Sequence, residues 1–220
     1  MRLHLTLSQN TSPVPFTYQV ALTGAFHKWL GENNVHGDLA LHSFSWLANG
    51  KRAGKDGLNF PNGSSFFISA FDNELIKKLV DGIMKDPVIN WGMEVTEMTI
   101  QPNPHFGEEA FFHLASPALI KRSLEAKKEK HYTYKDTEAD GLMTETMLHK
   151  LKKAELADEP IEIAFDRDYA KATTKLIEYK GIKNRTSLCP IIVKGSPAAI
   201  AFAWNVGVGN STGVGFGGIK

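Results

Sequence analysis

The first hundred residues switch between strand-like and helix-like hydrophobic patterns, and the order of these patterns strongly constrains the fold. Leu3, Leu5 and Leu7 alternate with polar residues, which is the period of a half-buried strand. Apolar residues then recur at helical spacing from Tyr18 to Leu30, and again after the Asp72–Asn73 pair, which can cap a helix. Further strand-like segments occupy residues 41–47, 58–60, 64–71 and 94–100. The resulting order, β-α-β-β-α-β, predicts a ferredoxin-like (RRM-like) α+β domain.

A second pattern of strands and helices begins after Pro102 and Pro104, which mark a boundary. We expect a first domain over residues 1–102 and a second over residues 103–220. The second half is predicted to hold strands at 111–115, 161–165, 176–180 and 191–194, a polar helix at 121–130 and another helix at 144–157. The chain as a whole is therefore predicted to be an α+β protein of two tandem ferredoxin-like domains with a C-terminal glycine-rich loop.

The composition is that of an ordinary globular protein and bears on where it works. Hydrophobic residues make up 42% of the chain, but no apolar run approaches the roughly 20 residues that span a bilayer. The first fifteen residues lack the apolar centre of a signal peptide. Cys189 is the single cysteine, which excludes an internal disulfide and a multi-thiolate zinc site. These features predict a cytoplasmic protein that has no membrane partner.

Basic residues are clustered, although the formal net charge is only +1. From Lys171 to Lys220 there are seven basic residues and one acid, Glu178. A solvated surface explains any single cluster equally well, but three clusters near a glycine-rich segment favour a polyanionic partner. The other two clusters, which we predict to contact phosphate, comprise Lys51, Arg52, Lys55, Lys121, Arg122, Lys127, Lys128 and Lys130.

Six glycines lie between Gly207 and Lys220. Such backbone reaches positive φ and approaches ligands closely, and successive exposed amides bind anions. Three of these glycines satisfy the dinucleotide fingerprint G-x-G-x-x-G, but only two residues follow where that motif requires a helix. No Lys-Ser/Thr pair closes the run as in a P-loop. We predict phosphate or base contacts from Gly207, Gly209, Asn210, Ser211, Gly215 and Gly217.

The spacing of Gly207-Val208-Gly209, five residues and Gly215-Phe216-Gly217 resembles the signature of the Cas six family, the CRISPR-associated endoribonucleases that process repeat RNA. The segments VPFTYQ at 14–19, TGAFHKWLGE at 23–32 and HGDLALHSFSWL at 36–47 are similar to the N-terminal half of that family. The resemblance implies CRISPR repeat RNA bound in the cleft between two ferredoxin-like domains, and cleavage without a metal or other cofactor. It also allows a homodimer or other CRISPR effector subunits as partners.

Metal-free RNA cleavage needs one group to remove the 2′-OH proton and another to protonate the leaving 5′ oxygen. A cation or backbone amides must also stabilise the charge on phosphorus. Histidine suits either proton transfer near neutral pH. His27, on the first helix, is predicted to be exposed, and it falls where the family carries a catalytic Tyr or His. His36, in the loop that follows, matches the family's active-site His. The expected products are a 2′,3′-cyclic phosphate and a 5′-hydroxyl.

Two further assignments depend on the strand at 41–47. His42 shares a strand face with Phe44 and Trp46, where a histidine is more often packed, so it is a reserve catalytic residue. The family often carries a catalytic Lys just before this strand, and the chain has none there. Either Lys51, Arg52 or Lys55 replaces it, or the two histidines act without it.

Other functions remain open at this point. A non-catalytic RNA-binding subunit of a CRISPR effector complex is the main alternative, and it would not need His27 and His36 together. A generic RRM-type protein that binds single-stranded RNA is a third class, and the glycine-rich loop argues against it. No HExxH motif, His/Cys cluster or pair of carboxylates at metal-site spacing occurs, which argues against a metallonuclease.

Overall fold

The first half of the chain is an antiparallel sheet packed against two helices. A computed structural model describes residues 1–32, 39–55, 57–123 and 129–220. The strands of this half are β1 Arg2–Leu7, β2 Val14–Pro15, β3 His42–Phe44, β4 Lys51–Ala53, β5 Gly57–Asn59, β6 Ser64–Ala70, β7 Val88–Asn90 and β8 Met93–Gln101. The helices are α1 Gln19–Leu30 and α2 Asn73–Lys85.

The strand order in this sheet is β3-β6-β1-β8-β7, with antiparallel pairing throughout. The four strands β3-β6-β1-β8 have the ferredoxin-like order, because the first strand, β1, lies between the third, β6, and the fourth, β8. Strands β2, β5 and β4 form a separate small sheet. The β-α-β-β-α-β prediction is thus confirmed, with β2, β4, β5 and β7 as additions to it.

The second half repeats this architecture and adds further strand pairs to it. Its strands are β9 Glu109–Phe112, β10 Ile120–Ser123, β11 Glu129–Tyr132, β12 Ile161–Phe165, β13 Thr173–Tyr179, β14 Ile182–Leu188 and β15 Ile191–Gly195. The added pairs are β10–β11 and β13–β14. Its helices are α3 Ala139–Lys153 and α4 Pro197–Val206, and a 3₁₀ turn spans Thr212–Val214.

The main sheet of the second half has the order β12-β15-β9. The fourth position is taken by the last residues of the chain: Leu114 and Ile219 form an antiparallel bridge, and His113 and Lys220 exchange two backbone hydrogen bonds of 3.0 and 2.9 Å. The end of the chain therefore continues this sheet beside β9, which completes the ferredoxin-like order. The prediction of two ferredoxin-like folds in tandem is confirmed.

Two local predictions in this half were wrong. The described ends of the polar helix expected at 121–130 belong instead to the antiparallel strand pair β10–β11, in which Ile120 is buried and pairs with Tyr132. Non-local pairing has overridden the helix-like charge pattern there. The helix expected at 144–157 begins earlier and ends at Lys153, because Glu155 adopts a left-handed conformation with φ of 62°.

Each half has its own hydrophobic core. The buried apolar residues of the first cluster lie between Leu3 and Met93, and those of the second between Phe112 and Ile219. A domain boundary at residue 102 is compatible with these clusters and stays a prediction. None of the helices in the described part of the chain is long and apolar enough to cross a membrane.

Arg2 joins the two halves. Its guanidinium lies 3.7 Å from the ring centroids of both Phe67 and Trp204, and donates to the Trp204 and Ile219 carbonyls at 3.1 and 2.8 Å. Its Nε also donates to the Ser69 hydroxyl at 2.6 Å. Burial lowers the pKa of Arg2 to about 9, so the group remains charged at neutral pH. A charged side chain with three hydrogen bonds thus links β1 to α4 and to residue Ile219.

Candidate functional site

Residues 207–217, termed the glycine loop, lie between the two halves. A side chain at Gly217 would overlap the Val208 carbonyl, and φ at Gly217 is 63°. A side chain at Gly209, where φ is 72°, would overlap the Leu119 carbonyl. These positions require glycine because backbone packs directly on backbone there, in conformations that other residues rarely adopt.

The amides of the glycine loop point largely inward. Val208 donates to the Gly217 carbonyl at 2.8 Å, and Gly217 donates to the Pro117 carbonyl at 2.9 Å. Gly207, Gly209, Gly215 and Gly217 are all buried. The expectation that these four glycines offer exposed amides to a phosphate was therefore wrong, since their conformational freedom serves internal packing instead.

The middle of the glycine loop reaches the surface. Asn210, Ser211, Gly213 and Val214 are partly exposed. Asn210 is anchored to the strand region beside it, because its amide donates to the Leu119 carbonyl at 2.7 Å and its Oδ1 accepts from the Lys121 amide at 2.9 Å. Asn210 and Ser211 thus remain available for contact with RNA, whereas the flanking glycines do not.

Lys150 of α3 lies beneath the glycine loop and is fully buried. Its amine donates to the Val206 and Gly207 carbonyls at 3.1 and 3.2 Å and to the Thr212 hydroxyl at 3.1 Å. The two carbonyls end α4, where the negative end of a helix dipole favours a cation. Burial nevertheless lowers the pKa of Lys150 to about 7. Sequence reasoning missed this residue, although Lys150 follows Met143 and Met147 on an otherwise apolar helical stripe.

His42 is packed beneath the same loop and is only 4% exposed. Its ring stacks on Phe26 at 4.5 Å between centroids, and a side chain at Gly213 would lie 2.9 Å from its Nε2. In the described part of the chain this Nε2 has no hydrogen-bond partner. Burial lowers the pKa of His42 to about 3, and the charges of Lys150, His27 and Lys153 act in the same direction. The burial of His42 and its stacking on Phe26 favour the packed interpretation over the reserve assignment as a catalyst.

His27 lies at the edge of this cluster. It is half-buried rather than exposed as expected, because its ring packs edge-on against Phe26 at 5.2 Å between centroids. His27 and His42 both contact the Phe26 ring, at 5.2 and 4.5 Å between centroids, and His42 lies next to Gly213 of the glycine loop. His36, the predicted partner of His27, lies outside the described residues.

Lys51, Arg52 and Lys55 are placed apart from this cluster. Lys51 and Arg52 are exposed on β4, which pairs with β5 in the separate small sheet. The Arg52 guanidinium donates to the Gly54 carbonyl at 3.1 Å. Among the described residues, no hydrogen bond or ion pair connects these three side chains to α1 or to the glycine loop. Their catalytic assignment therefore receives no support from the geometry, and RNA contact remains their predicted role.

The β10–β11 hairpin carries the described part of the second basic cluster. Lys121 pairs with Glu129 at 2.8 Å, and the Lys130 amine lies 4.4 Å from the centroid of the Tyr132 ring. Arg122 is held against α3 by a 2.8 Å ion pair to Glu145 and a 2.8 Å hydrogen bond to the Leu142 carbonyl. Arg122 is thus mainly structural, while Lys121 and Lys130 stay predicted RNA contacts. Lys127 and Lys128 lie outside the described residues.

A cleft of about 400 Å³ opens between this hairpin, α3 and the glycine loop. Its lining includes Lys121, Arg122, Asn210 and His149, and residue Leu39 of the first half closes one side. The cleft therefore combines groups from both halves beside the exposed part of the glycine loop. His149 was not singled out from the sequence, because a histidine on a polar helix face carries no distinguishing signal.

Comparison with known proteins gives a consistent result. The family model described as CRISPR associated protein Cas6, C-terminal, matches residues 101–220. A structure titled "Characterization of a Cas6-related gene from Pyrococcus furiosus" superposes with a TM-score of 0.85 at 22% identity, covering 100% of this chain and 97% of that one. Two others, "An RAMP protein binding different RNA substrates" and "CRISPR associated protein Cas6", give TM-scores of 0.84 and 0.83 at 19% and 21% identity, covering 100% of this chain and 98% of each.

No curated protein gives a significant sequence match. The solved structures are distant in sequence but share the fold along essentially the whole chain, while the family model covers more than half of it. The glycine spacing, the tandem ferredoxin-like folds and the family match agree with one another. The chain belongs to the Cas6 family of CRISPR-associated proteins.

Proposed function

We propose that this protein is a metal-independent endoribonuclease that cuts CRISPR precursor RNA within its repeats. The 2′-oxygen attacks the adjacent phosphorus, and the bond from phosphorus to the 5′ oxygen breaks. The 2′-OH proton passes to a general base, and a general acid protonates the leaving oxygen. The products are a 2′,3′-cyclic phosphate and a 5′-hydroxyl.

The observation that carries this proposal is the position of His27. His27 packs on Phe26, and Phe26 stacks on His42 next to Gly213 of the glycine loop. His27 is also partly accessible. His27 can therefore serve as one proton-transfer group, with His36 as the proposed second.

CRISPR repeat RNA is the proposed substrate, and Asn210, Ser211, Lys121 and Lys130 are proposed to contact it. Membership of the Cas6 family supports this choice. The structural neighbour titled "An RAMP protein binding different RNA substrates" adds to that support. Association with other CRISPR effector subunits or with a second copy of the chain stays a separate prediction, to be checked by the mass of the particle in solution.

A non-catalytic RNA-binding subunit is the second candidate. The observation in its favour is the inward packing of the glycine loop and of His42, which leaves fewer reactive groups at the loop than the sequence predicted. Such a protein would bind the repeat RNA and leave it intact.

The deciding experiment incubates end-labelled repeat RNA with the protein in excess EDTA. Parallel substrates carry a single 2′-deoxy nucleotide at each position in turn. Cleavage at one site, blocked by one 2′-deoxy substitution, would support metal-free attack by the 2′-oxygen. Tight binding without cleavage would overturn the proposal in favour of the second candidate.

A further inference from the structure

The C-terminal end of α3 reaches across to the first half of the chain. Lys153, the last residue of this helix, donates a 2.8 Å hydrogen bond from its amine to the Leu39 carbonyl. Leu39 lies three residues before β3, and the neighbouring Ala40 packs against Gly213 of the glycine loop. The Lys153 amine is therefore bonded to the residue that precedes Ala40, and Ala40 contacts the glycine loop.

The charge of Lys153 is close to the histidine cluster. Leu39, whose carbonyl accepts from the Lys153 amine, is followed by Ala40, and Ala40 and the His42 ring both lie against Gly213. His42 and His27 in turn pack on the same Phe26 ring. Lys153 is exposed, and no carboxylate in the described part of the chain forms an ion pair with it. An ammonium group has three donors, of which the Leu39 carbonyl takes one, so two remain for a ligand.

The cleft beside Lys153 suits a phosphodiester. Leu39 lines this cleft, and its carbonyl accepts a 2.8 Å hydrogen bond from the Lys153 amine, so the amine is bonded to a residue of the lining. The acids in the lining, Glu129 and Glu145, are both paired with basic residues.

We propose that Lys153 is a catalytic residue of the RNA cleavage reaction. Its ammonium group contacts a non-bridging oxygen of the scissile phosphate and stabilises the charge that develops there as the 2′-oxygen attacks. Lys153 thus supplies, from the second half of the chain, the cation that Lys51, Arg52 and Lys55 do not supply from the first. This inference rests on the proposed function.

The test compares three variants under single-turnover conditions, with enzyme in excess over repeat RNA. Lys153→Gln keeps a donor for the Leu39 carbonyl but removes the charge, and Lys153→Met removes both. Lys152→Gln is the matched control, because Lys152 is exposed on the same helix and its loss changes the net charge equally. We expect Lys153→Gln and Lys153→Met to slow cleavage by roughly 10²-fold or more, while Kd changes less than about 3-fold. Lys152→Gln should cut at the wild-type rate.

A second substrate separates charge stabilisation from acid catalysis. In this RNA a sulfur atom replaces the scissile 5′ oxygen, which makes protonation of the leaving group unnecessary. Loss of a general acid would be rescued by the sulfur, whereas the defect of Lys153→Gln should persist. Rescue of Lys153→Gln would overturn the assigned role, as would wild-type rates for Lys153→Gln or an equal defect in Lys152→Gln. Absence of cleavage by the wild-type protein would instead overturn the proposed function, and this inference with it.

Discussion

The Lys150 amine donates a 3.1 Å hydrogen bond to the Thr212 hydroxyl, which connects the last turn of α3 to the turn at the centre of the glycine loop. The same amine holds the two carbonyls at the end of α4. One buried group therefore fixes both ends of the segment from Val206 to Thr212. We infer that the shape of the glycine loop depends on α3 as much as on its own glycines.

Replacing Lys150 with Met should alter the pH dependence of stability. The unfolded chain keeps its proton on Lys150 up to about pH 10.5, whereas the folded chain releases it near pH 7. Between these values the unfolded state binds more protons, so the free energy of unfolding of the wild type should rise with pH relative to Lys150→Met. The rise should be roughly 2–4 kcal/mol, with no relative change below pH 7. Urea unfolding of both proteins from pH 6 to pH 10 measures this difference, and parallel curves would refute the prediction.

Replacing Arg2 with Met should destabilise the contact between the two halves. The substitution removes both donors to the Trp204 and Ile219 carbonyls and leaves these buried acceptors without partners. We expect a loss of about 2–4 kcal/mol in the free energy of unfolding, measured by urea denaturation. The exposed Arg52→Met is the control and should cost less than about 0.5 kcal/mol. Similar small effects from both variants would show that Arg2 contributes little to the contact.

Replacing Gly217 with Ala should destabilise the fold far more than the same substitution at an uncrowded glycine. The added methyl group would overlap the Val208 carbonyl in a conformation with φ of 63°. We expect a loss of more than about 2 kcal/mol, seen as a lower midpoint in thermal unfolding. Gly107→Ala is the matched control, since its side chain would meet nothing within 4 Å and its φ is not positive. An unchanged midpoint for Gly217→Ala would contradict the described backbone contact.

Replacing His27 with Ala should abolish cleavage while leaving RNA binding nearly intact. Loss of a general acid or base typically costs 10²–10⁴-fold in rate, and we expect an effect of about that size in a single-turnover assay. Binding measured by filter retention should change less than about 3-fold, because His27 is only partly accessible. His36→Ala should behave in the same way if the histidine pair is correctly assigned.

His105→Ala provides the control for these histidine variants. His105 is exposed and belongs to neither hydrophobic core. It also makes no described contact with His27 or His42. It should bind and cut RNA as the wild type does. Wild-type cleavage by both His27→Ala and His36→Ala would show that the proton-transfer groups lie elsewhere.

Local pattern alone was sufficient to predict the first ferredoxin-like fold. Two of the signals depend only on neighbouring residues, and both appear in the structure. The alternating residues Leu3, Leu5 and Leu7 are buried, and Asp72 accepts a 2.8 Å hydrogen bond from the Glu74 amide as a helix cap. The hairpin β10–β11 was missed because its pairing with distant backbone, through Leu119 and Asn210, has no local signature. Charge pattern in that segment suggested a helix that tertiary contacts exclude.

The candidate site was predicted less well than the fold, for a related reason. Glycine spacing identified the loop, but whether its amides face ligand or protein depends on Leu119, Pro117 and other residues far away in sequence. Lys150 and Lys153 lie three residues apart, yet one is buried beneath the loop and the other reaches the Leu39 carbonyl at the surface. Only the packing of α3 against both halves distinguishes them.

The Arg2 contact has a consequence for how RNA is selected. Separating the halves would deprive this buried cation of its two carbonyl acceptors and of the Trp204 ring, so the contact resists a change in their relative orientation. We therefore expect the space between the halves to keep a constant width. A constant width would admit a single RNA strand and exclude a thicker duplex, independently of the base sequence.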